Sequence, residues 1–258
     1  MNQTEQGMTH EIEEQGQWLF HRRSYFGLVI LPALALAILY PGPPSGPEVQ
    51  HHPDMLGVIG LLISVLGLLV RWITAGTVPA DTSRRSTREL RADTLNSVGM
   101  YSVVRHPLYL ANTLIVTGFV VAVGSIWFFV MFQLAHALYI ERVMAAEERF
   151  LKQMHGDAWK DWAARTPALI PRLRLWQSNP MLYSVRTVLR REYNGVFMLA
   201  LAFFVLQAAR AMTTGHMGLR QWIGQDHLWL GLLVAAGVLF LLLRTLKRHT
   251  RLLHVSGR

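Results

Sequence analysis

The chain has 258 residues, of which 52% are hydrophobic and only 16% charged, whereas an average soluble domain has about 25% charged residues. This composition excludes an ordinary soluble domain and predicts an integral membrane protein that crosses the bilayer several times. The net charge of +9 does not indicate nucleic acid, because the basic residues lie between apolar runs rather than in one stripe; it predicts contact with anionic lipid. The chain contains no cysteine, which excludes disulfides, thiolate metal ligands and a cysteine nucleophile, and no metal site is predicted.

The predicted elements begin after a polar segment, residues 1–24, which has neither the apolar core nor the cleavage site of a signal peptide and is expected to stay attached. Six apolar runs follow, at residues 25–41, 56–75, 107–124, 126–140, 195–212 and 227–243. Some are slightly shorter than the roughly 20 residues that a span needs, so five or six complete spans are expected. Only Gly124 and Ser125 separate the third run from the fourth, which predicts a tight helical hairpin over residues 107–140, with a re-entrant pair as the alternative. The expected fold is all-α, with one membrane domain over residues 25–258.

The orientation is predicted from the positions of Lys and Arg, which favour the cytoplasmic side of a span. The loops 42–55 and 124–125 contain neither residue type, and of all the basic residues only Arg210 and Arg220 lie on the same side as these loops. Six spans with both termini in the cytoplasm satisfy this pattern. We therefore expect a multi-pass protein of a bacterial inner membrane, with its basic side in the cytoplasm.

Polar residues form a stripe on each helix of the predicted hairpin. Such residues inside a span usually face the protein interior or a cavity. At 100° per residue, one stripe contains Arg105, His106, Tyr109, Asn112, Thr113 and Thr117, and the other contains Gln133, His136 and Glu147, with Glu148 on the adjoining face. Because the turn lies at 124–125, both stripes end at the same cytoplasmic edge, where Pro107 suits the first turn of a helix whose free N–H groups attract an anion.

Each of these features also has a simpler explanation. Arg105 and His106 are typical of a cytoplasmic anchor, and Glu148 could pair with Lys152 one turn further along a solvated helix. Gln133 and His136 could serve only to hydrogen-bond across the bundle. The convergence of the two stripes at one membrane edge favours a binding site.

Two motifs carry a resemblance to a known family. "GMYSVVRHPLYLANTLIVTGF", followed after the hairpin by "ERVMAAEERFLKQMHGDAWKDWAARTPALIP", resembles the signature of the isoprenylcysteine carboxyl methyltransferase and phospholipid methyltransferase superfamily of membrane enzymes. The resemblance covers residues 99–171, with Arg-His-Pro-x-Tyr opening one helix and a Glu-Glu pair on the next. The superfamily commonly has tyrosines where this chain has Trp159 and Trp162, so the roles of those hydroxyl groups do not carry over.

The resemblance implies that S-adenosylmethionine binds at the cytoplasmic end of the hairpin and that its methyl group passes to a lipidic acceptor from the bilayer. It implies that Arg105, His106, Tyr109 and Leu110 line the amino-acid and ribose end of the cofactor, and that Glu147 and Glu148 face its cationic or hydroxyl groups. The polar stripe adds Gln133 and His136 to the candidate cofactor residues. An in-line displacement onto an anionic acceptor needs alignment rather than a strong general base, and no catalytic base is assigned.

The acceptor is expected to be a lipid phosphate. Residues 76–99 contain a basic cluster, and Arg84, Arg85 and Arg88, with Asn96 and Tyr101, are the candidate substrate-binding residues, because the forked donors of arginine suit phosphate. The segment is similar to the corresponding part of bacterial lipid A phosphate methyltransferases, which suggests the lipid A 1-phosphate. The alternative is a basic segment lying on anionic lipid; carboxyl and phospholipid amine acceptors also remain open, and the residues after 171, including two more spans, are expected to shape a lipid path.

Two other classes of protein compete with this interpretation. The related membrane sterol reductases, which use a nicotinamide dinucleotide, share a similar Arg-His-x-x-Tyr opening but typically have Arg-Asp-Glu where this chain has Ala146-Glu147-Glu148. A non-catalytic scaffold or a transporter is the third hypothesis, although no symmetry between two halves of the chain supports a transporter. The oligomeric state is not predicted.

Overall fold

The computed structural model describes residues 18–19, 26–40, 55–77, 95–250 and 252–255. The predicted phosphate-binding residues Arg84, Arg85 and Arg88 lie outside the described residues, as do nearly all of the N-terminal segment and the loop 41–54. The helices in chain order are α1 (Phe26–Leu39), α2 (Met55–Thr77), α3 (Met100–Val103), α4 (Pro107–Val123), α5 (Ile126–Arg165), α6 (Val185–Thr213), α7 (Leu219–Gln225) and α8 (His227–His249), with a 3₁₀ turn at Leu173–Leu175.

The expected all-helical membrane fold is confirmed. Four helices, α2, α5, α6 and α8, are long and apolar enough to cross a membrane, and α1 and α4 are shorter apolar helices. The described residues form no strand. A chain without a sheet can satisfy its backbone hydrogen bonds in hydrocarbon only through helices, so this architecture follows from the composition.

The predicted turn between the third and fourth apolar runs is present. Pro107 is the first residue of α4, where its missing N–H removes no helical hydrogen bond. Gly124 ends that helix with φ of 75°, a left-handed conformation that suits glycine, and α5 begins two residues later. Consequently α4 and α5 are consecutive helices joined by a tight turn, and the start of α4 and the end of α5 lie on the same side of the bundle.

The closest helix packing, however, joins α4 to α2 rather than to its hairpin partner. A Cβ atom on Gly118 would lie 2.2 Å from the carbonyl oxygen of Gly60, and one on Gly67 would lie 2.6 Å from the carbonyl oxygen of Ala111. The Ser64 hydroxyl donates to the Ile115 carbonyl at 2.8 Å across the same interface. Small residues allow this approach of two backbones, which in membranes takes the place of a hydrophobic driving force.

Two helices extend well beyond the apolar runs that predicted them. Helix α5 continues for 25 residues past the predicted end at 140, with a change of direction at Gly156, where φ is 54°. Helix α6 begins ten residues before the predicted start at 195. Both extensions lie at the basic side of the bundle, because α5 runs toward that side and α6 runs away from it.

Arg210, one of the two basic residues that lie on the side opposite to the other basic residues, has a structural partner there. Its guanidinium donates to the Ala122 carbonyl at 2.7 Å, in the last turn of α4. The final carbonyl groups of a helix have no partner inside that helix, and a cation beside them is favourable. This contact explains an arginine on that side without changing the orientation inferred from the other basic residues.

Candidate active site

The chain just before α4 is held in place by the segment that follows α5. The backbone N–H groups of Arg105 and His106 donate to the carbonyls of Pro167 and Ala168 at 2.8 and 3.1 Å, and Arg172 N–H donates to the Val103 carbonyl at 2.9 Å. This short ladder satisfies backbone groups that precede the helix. It therefore brings the two ends of the superfamily-like region, the Arg-His-Pro motif and the closing Thr-Pro-Ala segment, into direct contact.

The Arg105 side chain connects these two ends through hydrogen bonds. Its Nε donates to Glu148 Oε1 at 2.9 Å, and its Nη1 donates to the carbonyls of Ala163 and Thr166 at 2.8 and 3.0 Å. Since charge-assisted bonds from a planar guanidinium fix both partners, Arg105 positions the end of α5 against the start of α4.

His106 lies between the two glutamates. Its Nε2 is 2.9 Å from Glu148 Oε1, and its Nδ1 is 3.9 Å from Glu147 Oε2. The imidazole side chain is 3% exposed, whereas the Glu147 side chain is 31% exposed. Glu148 therefore pairs with Arg105 and His106 rather than with the exposed Lys152, and Glu147 presents a carboxylate toward the open side of the cluster.

Aromatic side chains surround this pair of carboxylates. The rings of His106 and Tyr109 have centroids 5.6 Å apart, and the buried Trp162 donates its indole N–H to the Tyr101 carbonyl at 2.9 Å. Burial raises the pKa of the Tyr101 phenol well above its usual value, and the Glu147 carboxylate raises it further. The phenol thus remains protonated at neutral pH, and Trp162 serves as a packing and hydrogen-bonding residue.

The structure brings together six of the eight predicted cofactor residues and places the other two deeper in the bundle. Arg105, His106, Tyr109, Glu147 and Glu148 surround the start of α4, and Leu110 packs beside them on Val103 and Val104. His136 is 3.1 Å from the Thr113 hydroxyl, and Gln133 bonds to the Thr117 hydroxyl. His136 lies 11 residues from Glu147 on the same helix, about 16 Å along its axis. Gln133 and His136 thus hydrogen-bond from α5 to α4 across the hairpin, which is the simpler of the two roles that the sequence suggested for them.

Of the predicted substrate residues, Tyr101 and Asn96 fall within the described residues. Tyr101 borders the carboxylate cluster through its proximity to Glu147. Asn96 is half-buried in the irregular segment ahead of α3. The structure thus associates Tyr101 with the cluster, while the role of Asn96 stays a prediction.

A second charged cluster, the pair of Arg71 and Glu192, was not predicted from the sequence and lies deeper in the membrane bundle. Arg71 of α2 pairs through Nε with Glu192 of α6 at 2.5 Å, and its Nη1 donates to Asn112 Oδ1 at 2.7 Å. The Glu192 side chain is only 6% exposed. In the sequence, Arg71 lies near the end of one apolar run and Glu192 lies just before another. Because 121 residues separate them, the sequence does not indicate that they pair.

The donors and acceptors around the start of α4 fit an amino-acid group that carries both charges. The first backbone N–H groups of a helix are unsatisfied inside that helix and attract a carboxylate. Glu147, the more exposed of the two glutamates, is suited to an ammonium or sulfonium, and Tyr109 supplies an aromatic face. This chemistry matches the amino-acid end of S-adenosylmethionine.

One family comparison covers the part of the chain that carries the Arg-His/Glu-Glu cluster. Residues 56–158 match the phospholipid methyltransferase family, which confirms the resemblance inferred from the motifs. The match includes α2, α3, α4 and most of α5. Helices α1, α6, α7 and α8 lie outside it.

Two curated relatives come from metal-resistance systems. The nickel-cobalt-cadmium resistance protein NccN of Alcaligenes xylosoxydans is 30% identical over 151 residues, 58% of this chain and 65% of NccN. The cobalt-zinc-cadmium resistance protein CzcN of Cupriavidus metallidurans is 33% identical over 114 residues, 44% of this chain and 52% of CzcN. The chain thus spans between about half and two thirds of the length of these relatives. No solved structure matches it.

Proposed function

We propose that the chain is an S-adenosylmethionine-dependent methyltransferase whose acceptor is dissolved in the membrane. The observation that carries this proposal is the position of Glu147, Glu148 and His106 around the start of α4, inside the segment that matches the family. The bundle around the cluster is apolar and long enough to span a bilayer.

Each residue of the cluster has a proposed task. The cofactor supplies an activated methyl group. Glu147 binds its cationic end, the N–H groups at the start of α4 bind its carboxylate, and Tyr109 packs on it. Arg105 and Glu148 act through His106 as positioning residues, because their bonds hold the start of α4 against the end of α5. Holding the reacting groups in line supplies most of the acceleration in a displacement of this kind.

The identity of the acceptor is a finer proposal. A lipid phosphate such as the lipid A 1-phosphate was predicted from Arg84, Arg85 and Arg88, which lie outside the described residues. A carboxyl group and a phospholipid amine are the alternatives from the same superfamily. Incubating membranes with methyl-labelled cofactor and identifying the labelled lipid by mass spectrometry discriminates among the three.

Cofactor binding by the purified protein in detergent tests the proposal most directly. S-adenosylmethionine is expected to raise the Tm of the parent chain, and NADPH is not. His106→Ala and Glu147→Gln are expected to reduce that shift and to remove at least nine tenths of the methyl transfer to lipid. Glu141→Gln is the matched control, because Glu141 is on the same helix but is 63% exposed and, among the described residues, pairs with its neighbour Arg142. Stabilisation by NADPH and not by S-adenosylmethionine would instead indicate the reductase.

The relatives favour a second proposal at the level of the cell. Both are named for resistance to divalent metals, so we propose that methylation by this chain contributes to metal tolerance. Cells that carry the parent chain are expected to grow at higher cobalt or cadmium concentrations than cells that carry His106→Ala at equal expression. Equal growth of the two strains over the whole concentration series contradicts this proposal and leaves the methyltransferase proposal intact.

A further inference from the structure

The segment between α5 and α6, residues 166–184, exposes large apolar side chains outside the spanning helices. Ile170, Leu173 and Leu182 are 81%, 73% and 84% exposed, and the Trp176 indole is about half exposed. On a spanning helix such exposure is expected, because the helix faces lipid chains, but the helical structure described in this segment is a single 3₁₀ turn. A group of exposed apolar side chains marks a surface that docks on a partner.

Hydrogen bonds to neighbouring elements hold the backbone of this segment in place. The Arg172 N–H donates to the Val103 carbonyl at 2.9 Å, at the end of α3, and the Ser184 N–H donates to the Gly76 carbonyl at 2.9 Å, in the last turn of α2. These bonds satisfy backbone groups outside the regular helices. The segment is thus tied to two other elements while its apolar side chains remain on the surface.

The two attachment points place the segment at the edge of the hydrocarbon region. Gly76 directly follows the apolar run that ends at residue 75, and the apolar helix α4 begins at Pro107, four residues after Val103. One residue advances a helix by about 1.5 Å, whereas the head-group layer adds about 5–7 Å to each side of the hydrocarbon core. The segment therefore runs along the head-group layer on the basic side of the bundle.

The side chains of the segment match that layer chemically. Trp176 follows Leu173 by three residues across the 3₁₀ turn, in which such positions lie on one side, and tryptophan is enriched at the membrane–water interface. Residues 162–191 contain six arginines and no acidic residue. Arg172 and Arg174, which flank Leu173, are exposed, and guanidinium groups bind phosphate through forked hydrogen bonds. Apolar side chains between exposed arginines suit an anionic lipid surface.

We propose that residues 166–184 form an interfacial anchor that docks on the head-group layer of an anionic leaflet. Leu173, Trp176 and Leu182 insert among the upper parts of the lipid chains, and Arg172 and Arg174 bind lipid phosphates. The partner is the bilayer surface itself. This inference goes beyond the proposed methyl transfer and does not rest on it.

The anchor is continuous with the candidate active site. Pro167 and Ala168, at its beginning, provide the carbonyls that accept from the backbone N–H groups of Arg105 and His106. Ala168 lies five residues before Leu173. Docking of the anchor therefore holds the carboxylate cluster at a fixed depth beside the membrane surface.

Lipid contact is measured with Leu173→Cys and Leu182→Cys, each labelled with the environment-sensitive fluorophore NBD. The chain has no cysteine, so the label is site-specific, and both side chains are exposed, so the core is unchanged. The proteins are placed in nanodiscs of equal parts phosphatidylcholine and phosphatidylglycerol. Lipids that carry a nitroxide near the head group are expected to quench both positions at least threefold more than Gln153→Cys, the matched control, which is exposed on α5 thirteen residues past the apolar run that ends at 140.

Two results would overturn the lipid contact. Quenching at Leu173→Cys and Leu182→Cys that does not exceed quenching at Gln153→Cys would place the segment in water. A blue-shifted emission without quenching by the lipid nitroxide would show that protein, such as a second copy of the chain, covers this surface.

Selectivity for anionic lipid is measured by moving the nitroxide from one lipid to the other without changing the composition of the nanodisc. In Leu173→Cys, nitroxide-labelled phosphatidylglycerol is expected to quench at least twofold more than nitroxide-labelled phosphatidylcholine, because the arginines enrich the anionic lipid beside the segment. Adding Arg174→Glu is expected to remove this difference. Adding Arg220→Glu is the matched control, since Arg220 is also exposed but lies at the opposite side of the bundle, and the difference is expected to remain. Equal quenching by the two lipids in Leu173→Cys, or a difference that survives Arg174→Glu, overturns the proposal.

Discussion

At the scale of single residues, the contact between Arg105, His106 and Glu148 connects two motifs that are about 40 residues apart in sequence. The sequence predicted that these motifs meet, because a turn at 124–125 brings both to one membrane edge. It did not predict that Glu148 would have two basic partners while Glu147 stays more open. The different environments of the two adjacent glutamates depend on how α5 is rotated about its axis against α4, which the hydrophobic periodicity of the sequence does not determine.

Replacing Glu148 with glutamine is expected to destabilise the protein. Arg105 Nε and His106 Nε2 lose an ionised acceptor in a largely buried setting, which should lower the free energy of unfolding by about 1–3 kcal/mol. Denaturant unfolding in detergent, followed by tryptophan fluorescence, measures the change. The free energy of unfolding of Glu141→Gln should stay within about 1 kcal/mol of that of the parent, because the Glu141 carboxylate forms an exposed ion pair, which contributes little to stability. An equal effect of the two substitutions would contradict the role of Glu148 as the central acceptor.

The Arg71–Glu192 pair shows where residue-level prediction failed. Arg71 satisfies the positive-inside rule, so no other role was predicted for it. Glu192 lies outside both motifs, and only the packing of α6 against α2 brings the two charges together. Long-range ion pairs inside a bundle leave no local pattern in the sequence.

At the scale of elements, the apolar runs located the helices but not their ends. The predicted runs 107–124 and 227–243 correspond closely to α4 and to most of α8. Helix α5, by contrast, continues from 140 to Arg165, because nothing in its sequence stops the helix where the membrane ends. Hydropathy reports the boundary of the bilayer, whereas helix ends are set by caps and by tertiary contacts.

The interface of α2 with α4 leads to a prediction at this scale. Gly118→Ala adds a methyl group where a Cβ atom would lie 2.2 Å from a backbone oxygen of α2, so the helices must separate. Overpacking of this kind typically costs about 1–3 kcal/mol. A lower Tm in detergent is the expected measurement, together with weaker cofactor binding, because α4 carries the site.

Gly231→Ala is the control for that substitution. Gly231 also lies inside an apolar helix, α8, but a Cβ atom there meets nothing within 4 Å. The same change of residue should therefore leave Tm unchanged or raise it slightly through helix propensity. Two equal decreases in Tm would show that the loss arises from glycine replacement in general and not from the contact between α2 and α4.

At the scale of the whole molecule, the family segment and the remainder of the chain contribute differently. The cluster of Arg105, His106, Glu147 and Glu148 depends on α4 and α5, together with the closing segment 166–172, which lies beyond the match. The cavity of about 630 Å³ deeper in the bundle is also lined by α1 and α6. A motif marks the first part in the sequence. For the second part, only the residues after 171 were predicted to shape a lipid path, since apolar walls can be built from many sequences.

The orientation of the whole molecule is predicted from the charge pattern and is open to a direct test. The chain has no cysteine, so single cysteines can be introduced without a background signal. Gln225→Cys lies before α8 on the side predicted to be outside, while Gln153→Cys and Arg248→Cys lie on the basic side, and all three positions are exposed. In intact cells whose outer membrane has been permeabilised, a membrane-impermeant maleimide is expected to label only Gln225→Cys. Labelling of Gln153→Cys under these conditions would place the carboxylate cluster outside the cytoplasm, away from the cellular pool of S-adenosylmethionine, and would contradict the orientation and the proposed activity together.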